Sequence, residues 1–404
     1  MSFIKSLQEK TVDRDLLFLL SSMFFRRIVM GFLEIVRGIY FALIGFDPLV
    51  IGLIIGAGSI VGTLRSALFG VLSDKYGRKI FLIIGSFTSI LRMLLFATSR
   101  DFWILLLAQI VGALGEGAGA GQPVVSGYIV EKLSGSTKRT QIFSLTAITN
   151  ALASTLGSLA AALPAYFKSA LNLNEVDSYL PLFWAGVTLN LMSLLLILPL
   201  KEDMRERHKV KREKTAFNRS SLKEIGVYSI IRSTDGLAMG LVSSLAPLYF
   251  YLRFNMSSES LAPIYAVTRA IPIPIYFITP LLVGRFGHVN CLVASRISSG
   301  SFALCFAFSN SIELSSVAFI LYRALVLVSM PIRQSFATEI IDTSRTGSLV
   351  GISSSIRSFL RSSAPIISGY LFQISQMYLP MVMGSLLLML NVIQFRIFYS
   401  RRTK

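Results

Sequence analysis

Charged side chains stand inside long apolar runs of this chain: Arg27, Glu34, Arg37, Glu116, Arg232, Asp235, Arg269, Arg323, Arg357 and Arg361. Such a residue costs several kcal/mol in a membrane unless it faces water or a partner, so residues of this kind mark solute and ion pathways. Near mid-depth, the arginines Arg27, Arg232, Arg269, Arg323, Arg357 and Arg361 outnumber the acids Glu116 and Asp235. Glu34 and Arg37 lie further out on the first run. A guanidinium stays charged at any relevant pH. The pattern therefore predicts an electropositive interior that takes an anionic or carboxylate-bearing solute. The competing reading is that the arginines cap helix ends or bridge helices through backbone carbonyls.

Proton coupling needs a side chain that binds and releases a proton, and among these residues only Glu34, Glu116 and Asp235 qualify. Asp235 ranks first because Arg232, three residues away, shares its helical face. Glu34, near Arg37, ranks second. Glu116 ranks third, among Gly115, Gly117, Gly119 and Gly121, whose small size lets helices pack closely. Arg65, Arg92, Arg296 and Arg396 lie near run ends or on outer runs and are expected to snorkel to the membrane interface.

Other chemistries find no support. There is no G-x-x-x-x-G-K-[ST] loop for a nucleotide. His208 and His288 lie outside the apolar runs, and H-E-x-x-H is absent, so no metal site is expected. The glycines of LGEGAGAGQP follow no strand and read as helix packing rather than dinucleotide binding. No catalytic residue and no cofactor is expected, and the chain does not read as an enzyme.

The elements that must position these charges follow from composition. Of 404 residues, 53% are hydrophobic and 15% charged, against about 25% charged in a typical soluble chain. This is an integral membrane protein. Its start, MSFIKSLQEKTVDRD, is too polar for a signal peptide. Cys291 and Cys305 sit in one apolar run and form no disulfide framework. The net charge of +18 lies mainly in short segments between apolar runs rather than on one face, so nucleic acid is not an expected partner.

Twelve segments can cross a bilayer as helices: 14–44, 48–70, 79–98, 102–131, 140–167, 179–200, 222–252, 260–284, 289–309, 314–341, 347–374 and 378–399. Continuous runs such as IFLIIGSFTSILRMLLFA do not fit the alternating strands of a β-barrel. The fold class is all-α, with residues 1–200 and 224–404 as two pseudo-symmetric six-helix bundles and 201–223 as a basic linker. One set of alternate loops carries most of the Lys and Arg, nine of them in 201–223, while the other holds Arg100, Lys168 and Arg253. Positive charge stays inside, so both termini and the linker are expected in the cytoplasm, with the linker's bases near anionic lipid.

The halves echo each other. Pro123 and Glu131 in segment 4 match Pro331 and Glu339 in segment 10. Arg27 and Gly31 match Arg232 and Gly236. After segment 2 comes GVLSDKYGRK, and after segment 8 comes PLLVGRFGHV, which aligns Gly77 with Gly287. The order of the echoes indicates an internal duplication.

Gly70-Val-Leu-Ser-Asp74-Lys-Tyr-Gly77-Arg78-Lys79 resembles G-x-L-x-D-x-x-G-R-[RK], the signature loop of the major facilitator superfamily, and stands between segments 2 and 3 as it does there. Gly70 and Gly77 allow close approach and a tight turn. Asp74 can pair with a cation, and Arg78 offers a bidentate fork. Glu131, at the end of segment 4, is its expected partner. The resemblance covers essentially the whole chain. It implies a secondary transporter of a small solute working by alternating access in the cell membrane, with segments 1, 4, 7 and 10 lining a central cavity. A monomer with a proton or other coupling ion is expected. Two departures weigh against export by proton antiport: the arginine often found in segment 4 is missing near Val111, and segment 5 (ALASTLGSLAAALP) lacks a Gly-Pro signature. Gly284 replaces the motif's acid in the second half. The alternatives are an exporter of drugs or amphipathic solutes, a non-transporting sensor and a lipid flippase.

Overall fold

In a computed structural model of the chain, residues 14–115, 123–133, 136–202, 219–340 and 343–399 are described. They form sixteen α-helices and no strand. The first half holds α1 (Arg14–Leu43), α2 (Pro48–Tyr76), α3 (Arg78–Thr98), α4 (Phe102–Gly115), α5 (Pro123–Lys132), α6 (Ser136–Ala160), α7 (Leu163–Ala170) and α8 (Leu180–Ile197). The second holds α9 (Arg219–Ser243), α10 (Ala246–Phe254), α11 (Ser258–Ala270), α12 (Pro272–Phe286), α13 (His288–Phe308), α14 (Ile312–Ile340), α15 (Thr343–Gln373) and α16 (Leu379–Tyr399).

Helix occurs on every predicted segment, and nine of the described helical stretches are long and apolar enough to cross a membrane. Proline explains most breaks within a segment. Pro164, Pro247 and Pro272 open α7, α10 and α12 at N1 or N2, where a missing N–H costs nothing but the preceding helix must stop. Segment 260–284 is consequently two helices, each too short to cross alone. In α15, serines and arginines dilute the apolar run. The outer surface is inverted relative to a soluble protein, with Trp103, Leu281 and Ile397 exposed and several arginines enclosed. This is a multi-pass membrane protein.

The chain divides into two compact units, one of Met1–Glu34 and Leu64–Lys211, the other of Ile35–Thr63 and Arg212–Lys404. In the first, α3 packs on α4 and α8. Leu16 and Leu19 of α1 meet Phe81 of α3, Val125 and Tyr128 of α5 and Ile197 of α8 in one buried cluster. In the second, α9 packs on α15 and α16, and α13 on α14 and α16, around Tyr228, Leu292, Ile332 and Phe395. Residues 35–63 join this second unit through bare backbone: Gly52 lies so close to Gly369 of α15 that a Cβ would sit 3.0 Å from the Gly369 Cα.

Two glycines do what only glycine does easily. Gly77 between α2 and α3 has φ 103°, and Gly287 between α12 and α13 has φ 76°, a region that penalises any Cβ. The two positions paired by the sequence echo therefore share one turn geometry.

Candidate functional site

Two charged clusters stand out, one in each unit. The first surrounds the loop between α2 and α3. Asp74 and Arg78 are four residues apart, on either side of the helix break at Gly77, and paired at 3.0 Å, and Arg78 also lies 3.5 Å from Glu131 of α5. The guanidinium rests on Gly127, where a Cβ would overlap it. Gly70 contributes its carbonyl, which accepts from Ser73 Oγ at 3.1 Å. A residue that sequence reasoning missed completes the cluster. Glu202, just after α8, accepts the Arg78 N–H at 2.5 Å and the Lys79 N–H at 3.2 Å. These are unsatisfied donors at the start of α3, where the helix dipole favours a carboxylate. The neighbouring Lys201 is tied down as well: its N–H donates to Asp15 at 3.2 Å, and its carbonyl accepts from Tyr128 at 2.9 Å. Asp15 in turn pairs with Lys132 at 2.5 Å.

The second cluster lies in the other unit and is built on Asp235 of α9. Its carboxylate faces three arginines from three different helices: Arg296 of α13 at 2.6 Å, Arg357 of α15 at 3.1 Å, and Arg333 of α14. Arg333 Nε also donates to the Ser329 carbonyl at 3.2 Å, and Arg357 Nη2 contacts Met239 Sδ at 2.8 Å. Gly236 makes the arrangement possible, since a Cβ there would overlap the Arg357 carbonyl. Arg232, one turn from Asp235, donates to Ser354 of α15 at 3.4 Å.

The expected interfacial position of Arg92 and Arg296 is corrected here, since each residue is 0% exposed. Arg296 is drawn inward by Asp235. Arg92 donates to Met30 Sδ at 3.1 Å and packs on Gly112, whose missing Cβ leaves room for its stem. Arg65 is also buried, donating to the Leu114 carbonyl at 3.4 Å. Arg396 is exposed. A usable signal for Arg296 was present: Ala294, Ser295, Ser298 and Ser299 give it small neighbours, which crowd a buried arginine least. Arg333 carried no comparable mark.

The remaining predicted residues are placed separately. Arg27 donates to Ser154 of α6 at 2.8 Å. Glu34 and Arg37 are half-buried on α1. Arg323 stands 5.9 Å from the Tyr265 ring and 6.0 Å from that of Phe319, within cation–π range. Arg269 is half-buried in the last turn of α11, and Arg361 half-buried on α15. Glu116 lies outside the described residues.

Residues 16–365 match the Major Facilitator Superfamily. The chain belongs to that superfamily. It is 22% identical to "Uncharacterized membrane protein YJR124C" of Saccharomyces cerevisiae, over 95% of this chain and 94% of the relative. It is 25% identical to "Multidrug resistance protein 1" of Bacillus subtilis, over 81% of this chain and 82% of the relative. Among solved structures, the human organic anion transporter MFSD10 (TETRAN) superposes with a TM-score of 0.64 at 16% identity, covering 95% of this chain and 99% of that one. The chain is thus a superfamily transporter.

Proposed function

We propose that the protein carries a small anionic or carboxylate-bearing solute across the cytoplasmic membrane by alternating access. In this reading it crosses twelve times, with residues 1–200 and 224–404 as the rocking bundles and the termini and residues 201–223 in the cytoplasm. The observation that carries the reading is the excess of enclosed arginine in the second unit, where, among the described residues, Arg296, Arg333 and Arg357 share the single acid Asp235. The likeness to a structure described as an organic anion transporter supports it. Arg269 and Arg323 are the arginines assigned to solute. Uptake into proteoliposomes against a panel of carboxylates, neutral solutes and organic cations tests the sign. Arg323→Gln or Arg269→Gln is expected to weaken solute binding about 10- to 150-fold, the worth of one charge-assisted hydrogen bond. A cationic solute bound equally well by both variants refutes it.

In the same reading, the Asp74–Arg78–Glu131 cluster is a gate latch. Asp74→Ala and Arg78→Ala are expected to slow transport while leaving solute binding and folding intact. Unimpaired transport in both removes the assignment. For coupling, proton-driven accumulation is expected to fail in the neutral variant of Glu34, Glu116 or Asp235, with counterflow exchange retained. Accumulation driven by a pH gradient in all three removes proton coupling through these residues. The likeness to a relative named for multidrug resistance supports a second reading, export of amphipathic drugs. Energy-dependent efflux of cationic dyes from expressing cells, with no carboxylate uptake, would establish that reading instead.

A further inference from the structure

The polar centre of the second unit does not balance. Asp235, Arg296 and Arg333 have side chains no more than 2% exposed, and Arg357 is 10% exposed. One carboxylate therefore meets three guanidiniums. Arginine cannot shed its proton as a buried lysine can, so the excess positive charge persists. Taking an ion out of water costs several kcal/mol even after relaxation, and attraction repays this only when charges and hydrogen bonds are matched.

The donors are mismatched too. Three guanidiniums bring far more N–H donors than the roughly four lone-pair sites of one carboxylate. The Ser329 carbonyl and the Met239 thioether take two of the surplus. Arg296 Nε and Nη1 and Arg333 Nη2 are enclosed and find no hydrogen-bond acceptor. Buried polar groups in folded proteins nearly always have a partner. Arg296 Nη2 faces Asp235 Oδ1 at 2.6 Å as an ion pair without a hydrogen bond, so no Arg296 nitrogen has a well-placed acceptor and the cluster is short of negative charge; one compact anion supplies both.

We propose that the Arg296–Arg333–Arg357 cluster is an anion-binding site, taking a compact monovalent anion on the guanidinium nitrogens that Asp235 leaves unused. The anion comes either as a free inorganic ion or as the acidic group of the carried solute. Only the second source rests on the anionic-solute reading above; the site itself follows from its own charge.

The test is the thermal unfolding of the full chain, purified in detergent in sodium gluconate, as chloride, bromide or acetate replaces gluconate at fixed ionic strength. Binding to the folded state alone produces a saturable rise in the midpoint, on the order of a few degrees. Arg296→Gln is expected to raise the half-saturating concentration at least tenfold. Asp235→Asn frees further donors and is expected to lower it, a change of opposite sign that general loss of fold does not produce. Arg396→Gln, on an exposed side chain, is expected to change nothing. Chloride acting while acetate does not assigns a free inorganic ion; acetate acting and competing with chloride assigns the acidic group. A midpoint identical in all these salts, or an anion dependence that survives Arg296→Gln and Asp235→Asn unaltered, overturns the site. Solute uptake by proteoliposomes is scored separately, so failure of the transport reading is distinguishable from failure of this one.

Discussion

Arg27 and Arg232 hold matching stations in the two halves of the chain. Arg27 donates from α1 to Ser154 of α6, and Arg232 from α9 to Ser354 of α15. Four residues on, Gly31 lies against Gly157 of α6, and Gly236 against the Arg357 backbone of α15. Between these points the halves diverge. Where α1 offers the Met30 thioether to Arg92, α9 offers the Asp235 carboxylate to Arg296. One scaffold thus presents a soft, uncharged contact in one unit and a charged hub in the other. The close approach of helices, set by glycine and serine, is common to both units, while the polar chemistry at the crossing differs.

The largest effect is expected where the halves differ. Asp235→Met gives the second unit the first unit's chemistry and leaves three enclosed guanidiniums without their acid. The expected loss is about 3–5 kcal/mol, the cost of breaking a buried ion pair from one side. Guanidinium-denaturant or thermal unfolding in detergent measures it, and the double variant with Arg296→Met is expected to recover part of the loss. A change within about 1 kcal/mol would mean that the hub contributes no more than the Met30 contact.

Next come the positions where the halves agree. Gly157→Ala places a Cβ against backbone alone and Gly236→Ala places one against the Arg357 backbone and stem, and each is expected to cost about 1–3 kcal/mol. Similar losses would sharpen the equivalence of the two crossings; a loss in one alone would break it.

The two loops offer a smaller effect. Gly77 and Gly287 alike have no side chain to cap the helix they precede, and Glu202 supplies that cap to α3 from far along the chain. Glu202→Gln is expected to cost about 1 kcal/mol and to raise hydrogen exchange at the Arg78 and Lys79 amides. The smallest effect has the opposite sign. Gly284 is helical with open space around it, so Gly284→Ala is expected to stabilise by about 0.5–1 kcal/mol. A loss there would reveal a neighbour at this position.

Hydropathy made the segments legible, and proline marked where they would break. The signature loop was legible because its chemistry is local: Asp74 and Arg78 are four residues apart, and Gly77 sets the turn between helices. The centre of the second unit was only half legible. Counting from segment ends gives depth along a helix but not the direction in which a side chain points. Arg296 was therefore assigned to the interface, and Asp235 was paired with its sequence neighbour Arg232. The contacts that decide the matter join residues 61 to 122 positions apart, from Asp235 to Arg296 and Arg357. No periodicity within one segment reports them. Glu202 was hidden differently, as one of four acids in a strongly basic stretch whose charge was read as topology.

Glu202 also orders events in time. The amides it caps begin α3, yet the cap lies 123 to 124 residues downstream. A chain emerging from the ribosome makes α3 long before it makes the residue that closes it. Lys201 likewise reaches back to Asp15 at the start of α1, across 186 residues. The first half is thus fastened by its last residues, and the turn at Gly77 stays uncapped until α8 has been synthesised. A chain halted at residue 200 would hold every helix of that half and lack its clasp, while two more residues would supply it.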